Sequence, residues 1–154
     1  MSFAQDIVID AFLEKWENSK NYLIQIAETM PEEKYGFTPT PREMSFKEQL
    51  IHIQQNMDWI VGYFEKDVLE AEISTLQNDK ARLIANLTSS FDTVYNVIKG
   101  YRLEDLGNTV DFFAGKKTKL QMLNLLQDHV SHHRGQLIVY LNLNDLKPPA
   151  YVGW

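Results

Sequence analysis

His129 and His133 stand one helical turn apart in Asp128-His-Val-Ser-His-His-Arg-Gly-Gln136. At about 100° per residue, positions i and i+4 lie only ~40° apart on a helix surface, so both imidazoles can reach one point in space. Neutral imidazole is the commonest protein ligand for metals, and the pair is half of a metal site. On a wheel centred on His129, Met122, Leu125, Leu126, His133, Gln136, Leu137 and Tyr140 fall within about 80° on either side. Most are apolar, so the pair faces a packed interior. A single buried histidine is ordinarily a core residue satisfied by a hydrogen bond. Two on one apolar turn each need a buried partner, which a shared cation would supply. Spacing alone leaves both readings open. His132, about 100° from His133, belongs to the flank of the helix as a surface or supporting residue.

Four amphipathic segments have to position these residues. Phe12, Trp16, Ser19, Leu23, Ile26 and Met30 repeat at helical spacing and predict a helix over 3–29. Pro31, Gly36, Pro39 and Pro41 then predict an ordered loop. Ser45-Phe-Lys-Glu48 has capping-box spacing and opens a helix over 45–65, with Phe46, Leu50, Ile53, Met57, Ile60 and Phe64 as its apolar stripe. Ile84, Leu87, Phe91, Val94 and Ile98 predict a third helix over 76–101. Residues 108–115 read as an extended segment or small hairpin. Thr118-Lys-Leu-Gln121 caps a fourth helix, over 118–143, which Lys147-Pro-Pro149 prevents from continuing. The expected fold is all-α: an antiparallel-type four-helix bundle, an architecture whose interior commonly holds metals.

Composition narrows the chemistry. The 154 residues suit one domain. No apolar run reaches membrane-spanning length. There is no cysteine, so disulfides and thiolate ligands are excluded and any metal site must use histidines and carboxylates. Met-Ser-Phe-Ala-Gln-Asp at the start has neither the basic residues nor the apolar stretch of a signal peptide, and the expected compartment is cytoplasmic. The net charge of −6, with only a small patch at Lys116, Lys117 and Lys119, argues against nucleic-acid binding.

The histidine outside the fourth helix is His52, on the second. It lies about 120° from the centre of the Phe46–Phe64 stripe, on a flank shared with Gln49, Asn56, Trp59 and Tyr63. That flank is amphipathic and suits a pocket wall. A half-buried histidine at a helix interface is the competing reading.

Four segments together carry a family resemblance. They are Met30-Pro-Glu-Glu-Lys-Tyr35 with Phe37-Thr-Pro-Thr-Pro41, then Ser45-Phe-Lys-Glu-Gln-Leu-Ile-His52, then His129-Val-Ser-His-His-Arg-Gly-Gln136, and the closing Leu143-Asn-Asp-Leu-Lys-Pro-Pro149. The chain resembles the DinB-like family of small bacterial four-helix proteins, a superfamily that includes YfiT-like thiol-transferase relatives. The resemblance runs nearly the whole length and implies a single domain over 1–154. It implies a divalent metal held by three histidines, one from the second helix and two from the fourth, which map to His52, His129 and His133. Some relatives use a low-molecular-weight thiol, and relatives are often dimeric. A homodimer is expected here, since Trp16, Trp59, Tyr63, Tyr95 and Trp154 are more aromatic surface than one core needs.

The function expected is that of a metal-dependent transferase of the small-thiol type, or a hydrolase. Zinc suits three imidazoles best, with nickel, iron and manganese as alternatives. Such an ion lowers the pKa of a coordinated water or thiol. Asn56, Trp59, Gln136 and Tyr140 are the candidate pocket residues. Glu48, Asp58 and Asp128 read as solvated helix-face carboxylates, and no general base declares itself. Arg134 points about 140° from His129, towards an acidic neighbour or a loop carbonyl. The alternative is a non-catalytic stress-response protein that binds a metal or small ligand; a structural dimer with a vestigial site is a third reading.

Overall fold

The apolar stripes fold as four helices: α1 (Phe3–Thr29), α2 (Phe46–Val61), α3 (Lys80–Lys99) and α4 (Lys119–Leu143). A computed structural model describes residues 3–65, 79–152 and 154, with side chains from residue 7 onward. Pro31, which has no N–H, follows α1. The loop beyond it is tied down: the Tyr35 hydroxyl donates to the Ala27 carbonyl at 2.7 Å, and the amides of Phe46 and Lys47 donate to the carbonyls of Phe37 and Tyr35.

Both predicted capping boxes form. Ser45 Oγ accepts from the Glu48 amide at 3.2 Å while the Glu48 carboxylate accepts from the Ser45 amide at 2.7 Å. Thr118 and Gln121 make the same exchange at 3.2 and 2.8 Å. Each box satisfies two amides that a helix start leaves orphaned. α2 stops at Val61, short of the expected 65. There Tyr63 and Phe64 donate three residues back, to Ile60 and Val61, tightening the chain at Gly62. A Cβ on Gly62 would meet the Trp59 carbonyl at 3.3 Å. For α3, Asp79 caps the helix by accepting from the Arg82 amide at 2.8 Å; residues 76–78 of the expected span lie outside the described residues. Its buried stripe runs through Leu83, Leu87, Ser90, Phe91, Val94 and Ile98, which leaves Ile84 at the margin, only partly buried. α4 ends where Asp145 takes φ 59° and the Leu146 amide bonds back to the Leu141 carbonyl.

Residues 108–118 form the small hairpin: β1 (Thr109–Val110) pairs antiparallel with β2 (Lys117–Thr118), Thr109 opposite Thr118.

α1 packs on α3 and α4, and α2 packs on the same two helices, so α1 and α2 are diagonal. Direction follows from the contacts. Trp16 meets Phe91 and Lys80 meets Glu28, so α1 and α3 are antiparallel. Gln49 meets Tyr140 and His52 meets His129, so α2 and α4 are antiparallel. Phe12 meets Gln127 and Ser19 meets Arg134, so α1 and α4 run parallel. The bundle is therefore up-down-down-up and not a simple alternation.

The core is mostly apolar, with Trp16 among its largest members and Gln49 and His133 among its few buried polar residues. The expectation of Trp16 as spare surface is overturned. Its ring stacks on Phe12 at 5.5 Å and its indole N–H donates to the Phe91 carbonyl at 3.0 Å, so the one polar atom is satisfied. Among the described residues no helix is long and apolar enough to cross a membrane.

Candidate metal centre

The seam between α2 and α4 brings three histidines together. His52 comes from the middle of α2, and His129 and His133 from successive turns of α4. Their ring centroids are 4.9 Å (His52 to His129), 4.7 Å (His52 to His133) and 4.4 Å (His129 to His133) apart. One ligating nitrogen from each lies within 4.8 Å of the others, and the Nε2 atoms of His52 and His129 are 3.1 Å apart. His133 is buried, while His52 and His129 are half-buried. His132 is exposed, its ring edge-on to His133 and outside the cluster.

The donor set fits a divalent cation. A tetrahedral ion with bonds of about 2.0–2.1 Å keeps its ligand nitrogens roughly 3.3 Å apart, close to the His52–His129 spacing. Among the described residues, the Nδ1 of His129 is buried without a partner, as are Asn56 Oδ1 and Gln136 Oε1. Buried polar atoms without partners are rare in folded proteins, and those here sit on residues of the cluster or one helical turn from it. Burial, followed by the charges of His133, His52 and His132, pushes the pKa of His129 down to about 4. Burial, followed by His52 and His132, does the same to His133, with Gln136 acting in the opposite direction. Both imidazoles therefore keep the lone pairs that ligation needs at neutral pH.

Behind His133 lies a residue that sequence reasoning did not select. Gln49, fully buried, holds its Oε1 2.5 Å from His133 Nδ1. Its Nε2 donates to the Tyr140 hydroxyl at 3.4 Å, and that hydroxyl donates to the Met44 carbonyl at 2.8 Å. The available signal was that Gln49 is one turn before His52 on its pocket-like flank, and Tyr140 two turns beyond His133. Tyr140, expected to line the pocket, is only 3% exposed and sits behind His133 instead.

The other expected residues divide. Asn56 and Gln136 stand one turn from the cluster, with side-chain oxygens that have no partner among the described residues. Trp59 is 45% exposed. It stacks on Phe112 at 5.3 Å and on Phe113 at 6.2 Å, with Tyr63 edge-on beside it. Seven residues of helix place Trp59 about 10 Å along α2 from His52. Asp58 is not a solvated carboxylate. It is half-buried towards α3, where burial raises its pKa against the opposing hydrogen bonds of Ser90 and Gln54. Glu48 is engaged in its capping box and Asp128 is exposed. Among the described residues Arg134 meets neither an acid nor a loop carbonyl: it lies 5.1 Å over the Tyr22 ring and reaches Ser19 Oγ at 3.4 Å. An open cleft of about 510 Å³ lies on the α1–α3 side of the bundle, among Asp10, Glu14, Glu17 and Tyr95, away from the histidines.

Known proteins share this fold. Residues 15–137 match the model of the DinB superfamily. The uncharacterized protein YjoA of Bacillus subtilis is 25% identical over 129 residues, 79% of this chain and 81% of YjoA. The crystal structure of YjoA, a DinB-like protein, superposes with a TM-score of 0.75 at 18% identity, covering 94% of this chain and 96% of YjoA. A DinB-like protein from Bacillus cereus superposes with a TM-score of 0.79 at 17% identity, covering 93% and 97%. The family model spans most of the sequence, including all three histidines, and this chain belongs to the DinB superfamily.

Proposed function

We propose that this protein is a divalent-metal-dependent enzyme that transfers a group to a low-molecular-weight thiol, with His52, His129 and His133 as ligands. The observation that carries the reading is the convergence of three imidazoles with, among the described residues, no carboxylate in the set. Neutral ligands leave a divalent ion its full charge, and three of them leave a position for a small molecule. Zinc suits the nitrogen set best, ahead of nickel, iron and manganese. When bound, the ion supplies a Lewis acid that lowers the pKa of a coordinated thiol or water.

The surrounding residues favour thiol over water. A free thiol ionises near pH 8.5, whereas bulk water has a pKa of about 15.7 and depends far more on a base. Glu48 is engaged in its capping box, Asp58 is half-buried towards Ser90 and Gln54, and Asp128 is exposed. The chain has no cysteine of its own, so the thiol arrives as a small molecule. Its sulfur would replace a leaving group on an electrophilic carbon, with its proton passing to solvent. Asn56 and Gln136 can accept hydrogen bonds from such a ligand, and Trp59 with Phe112 and Phe113 offers an apolar face at the rim. A cytoplasmic setting, where small thiols stay reduced, matches this chemistry.

The test is metal analysis of untagged protein, since a nickel column would load the site, followed by assay of the zinc-loaded form with a panel of thiols and electrophiles. One ion per chain is expected, with thiol-dependent turnover that chelation and His129→Ala abolish. Turnover of esters or amides without thiol would move the assignment to hydrolysis. Bound metal without turnover would favour the non-catalytic binding protein. Failure to bind any divalent ion would overturn the reading.

A further inference from the structure

We infer that Gln49 is a positioning residue that fixes His133 in one tautomer, and that Tyr140 and the Met44 carbonyl fix Gln49 in turn. The inference rests on the proposed metal site, because its consequence is which nitrogen of His133 is offered to the ion.

The direction of every hydrogen bond in the chain of contacts follows from its far end. The Met44 carbonyl can only accept, so the Tyr140 hydroxyl spends its single proton there, at 2.8 Å. The tyrosine oxygen can then only accept from Gln49, and the group 3.4 Å away must be the amide Nε2–H. That leaves Gln49 Oε1 against His133, and a carbonyl oxygen can only accept. His133 Nδ1 must therefore carry the proton, and its Nε2 keeps the lone pair. Flipping the Gln49 amide would ask one tyrosine proton to serve two acceptors, and one bond would be lost. A main-chain carbonyl at the foot of α2 thus selects the ligating nitrogen on α4.

Burial gives the arrangement its force. Gln49 is 0% exposed, Tyr140 3% and His133 6%, so no member can exchange its partner for bulk water. Phe37 holds the Tyr140 ring edge-on at 5.9 Å. His129 has no such support among the described residues, where its Nδ1 has no partner. His133 is accordingly the preorganised ligand of the set. Partners of this kind raise ligand basicity and hold ring orientation, and their loss typically costs 10–100-fold in metal affinity.

The experiment has two independent arms. Long-range ¹H–¹⁵N spectra of the metal-free wild-type protein report which nitrogen of His133 is protonated; Nδ1–H is expected, and an Nε2–H signature would overturn the inference. Zinc affinity is then measured by chelator competition for wild type, Gln49→Leu, Gln49→Glu and Tyr140→Phe. Gln49→Leu should weaken zinc binding about 10–100-fold and abolish the single-tautomer signature. Gln49→Glu keeps the acceptor and should hold affinity at or above wild type, and Tyr140→Phe should fall in between. A Gln49→Leu variant that binds zinc within twofold of wild type would overturn the role. Equal loss in the Leu and Glu variants would also overturn it, by reducing Gln49 to a packing residue. If the wild type binds no zinc, the metal reading has failed, and the spectrum alone decides the tautomer.

Discussion

At the scale of the single residue, the histidines differ by surroundings more than by type. His132 and His133 are adjacent in sequence, yet one is exposed and the other is held by Gln49. His133→Ala is expected to remove most bound metal and His132→Ala to leave it in place, measured by metal content after equilibrium dialysis. A His132 variant as empty as the His133 variant would refute the assignment. The pH dependence follows from the lowered pKa values. His129 and His133 resist protonation in the fold down to about pH 4, while the unfolded chain takes up those protons near 6.5. Stability is thus fully present above pH 6.5 and falls as the pH drops from there through 4. Neither ligand is lost to protons until well below the usual histidine range, so their share of metal affinity should persist at pH 5.5. Calorimetric zinc titrations from pH 7.5 to 4.5 check this; a midpoint near 6.5 attributable to either residue contradicts it.

At the scale of the element, local signals specified each helix start more sharply than its relation to neighbours. Both capping boxes were legible because their chemistry is confined to four consecutive residues. Replacing Thr118 by Ala should cost about 1 kcal/mol through loss of the α4 cap, read as a lower melting temperature, with zinc affinity unchanged because the histidines lie three turns further on. The i, i+4 pair and the amphipathic flank of His52 were legible for the same reason: helical periodicity reports which residues share a face. Periodicity does not report which helix that face meets. The Gln49 contact across the α2–α4 seam was therefore hidden, although Gln49 stands one turn from His52. Helix direction was hidden too, since it depends on where the connection after Val61 delivers the chain. Trp16 was misread because the carbonyl of Phe91 that accepts its N–H is distant in sequence. Trp59 tests the rim: Trp59→Ala should raise the KM for an apolar thiol acceptor while metal content stays at the wild-type level. A loss of metal in that variant would place Trp59 in the support of the ligands instead.

At the scale of the whole molecule, exposed apolar side chains and an ion-independent core lead to separate expectations. Trp59 and Phe113, stacked on one another, and Val139 and Leu143 on α4 are all substantially exposed, and exposed apolar surface is a common mark of contacts between chains. A homodimer is the expected state, checked by light scattering at micromolar concentration; a monomeric mass refutes it. The ion's place in folding follows from the division of labour among the helices. The apolar core is contributed by all four helices and runs through Trp16, Leu23, Phe46, Ile60, Phe91 and Leu137, none of which depends on a ligand for its packing. The histidines join only α2 to α4. A bound ion should therefore stabilise a bundle that already stands without it. At free zinc 100 times the dissociation constant, mass action contributes about 2.7 kcal/mol. For a chain of this size each kcal/mol is worth roughly 2–4 °C, so the melting temperature should rise by about 5–11 °C. Far-UV circular dichroism at 20 °C should be the same before and after chelation. Unfolding on chelation would mean that the ion is structural, as in small metal-nucleated domains. It would also mean that the three imidazoles serve the fold before they serve a substrate.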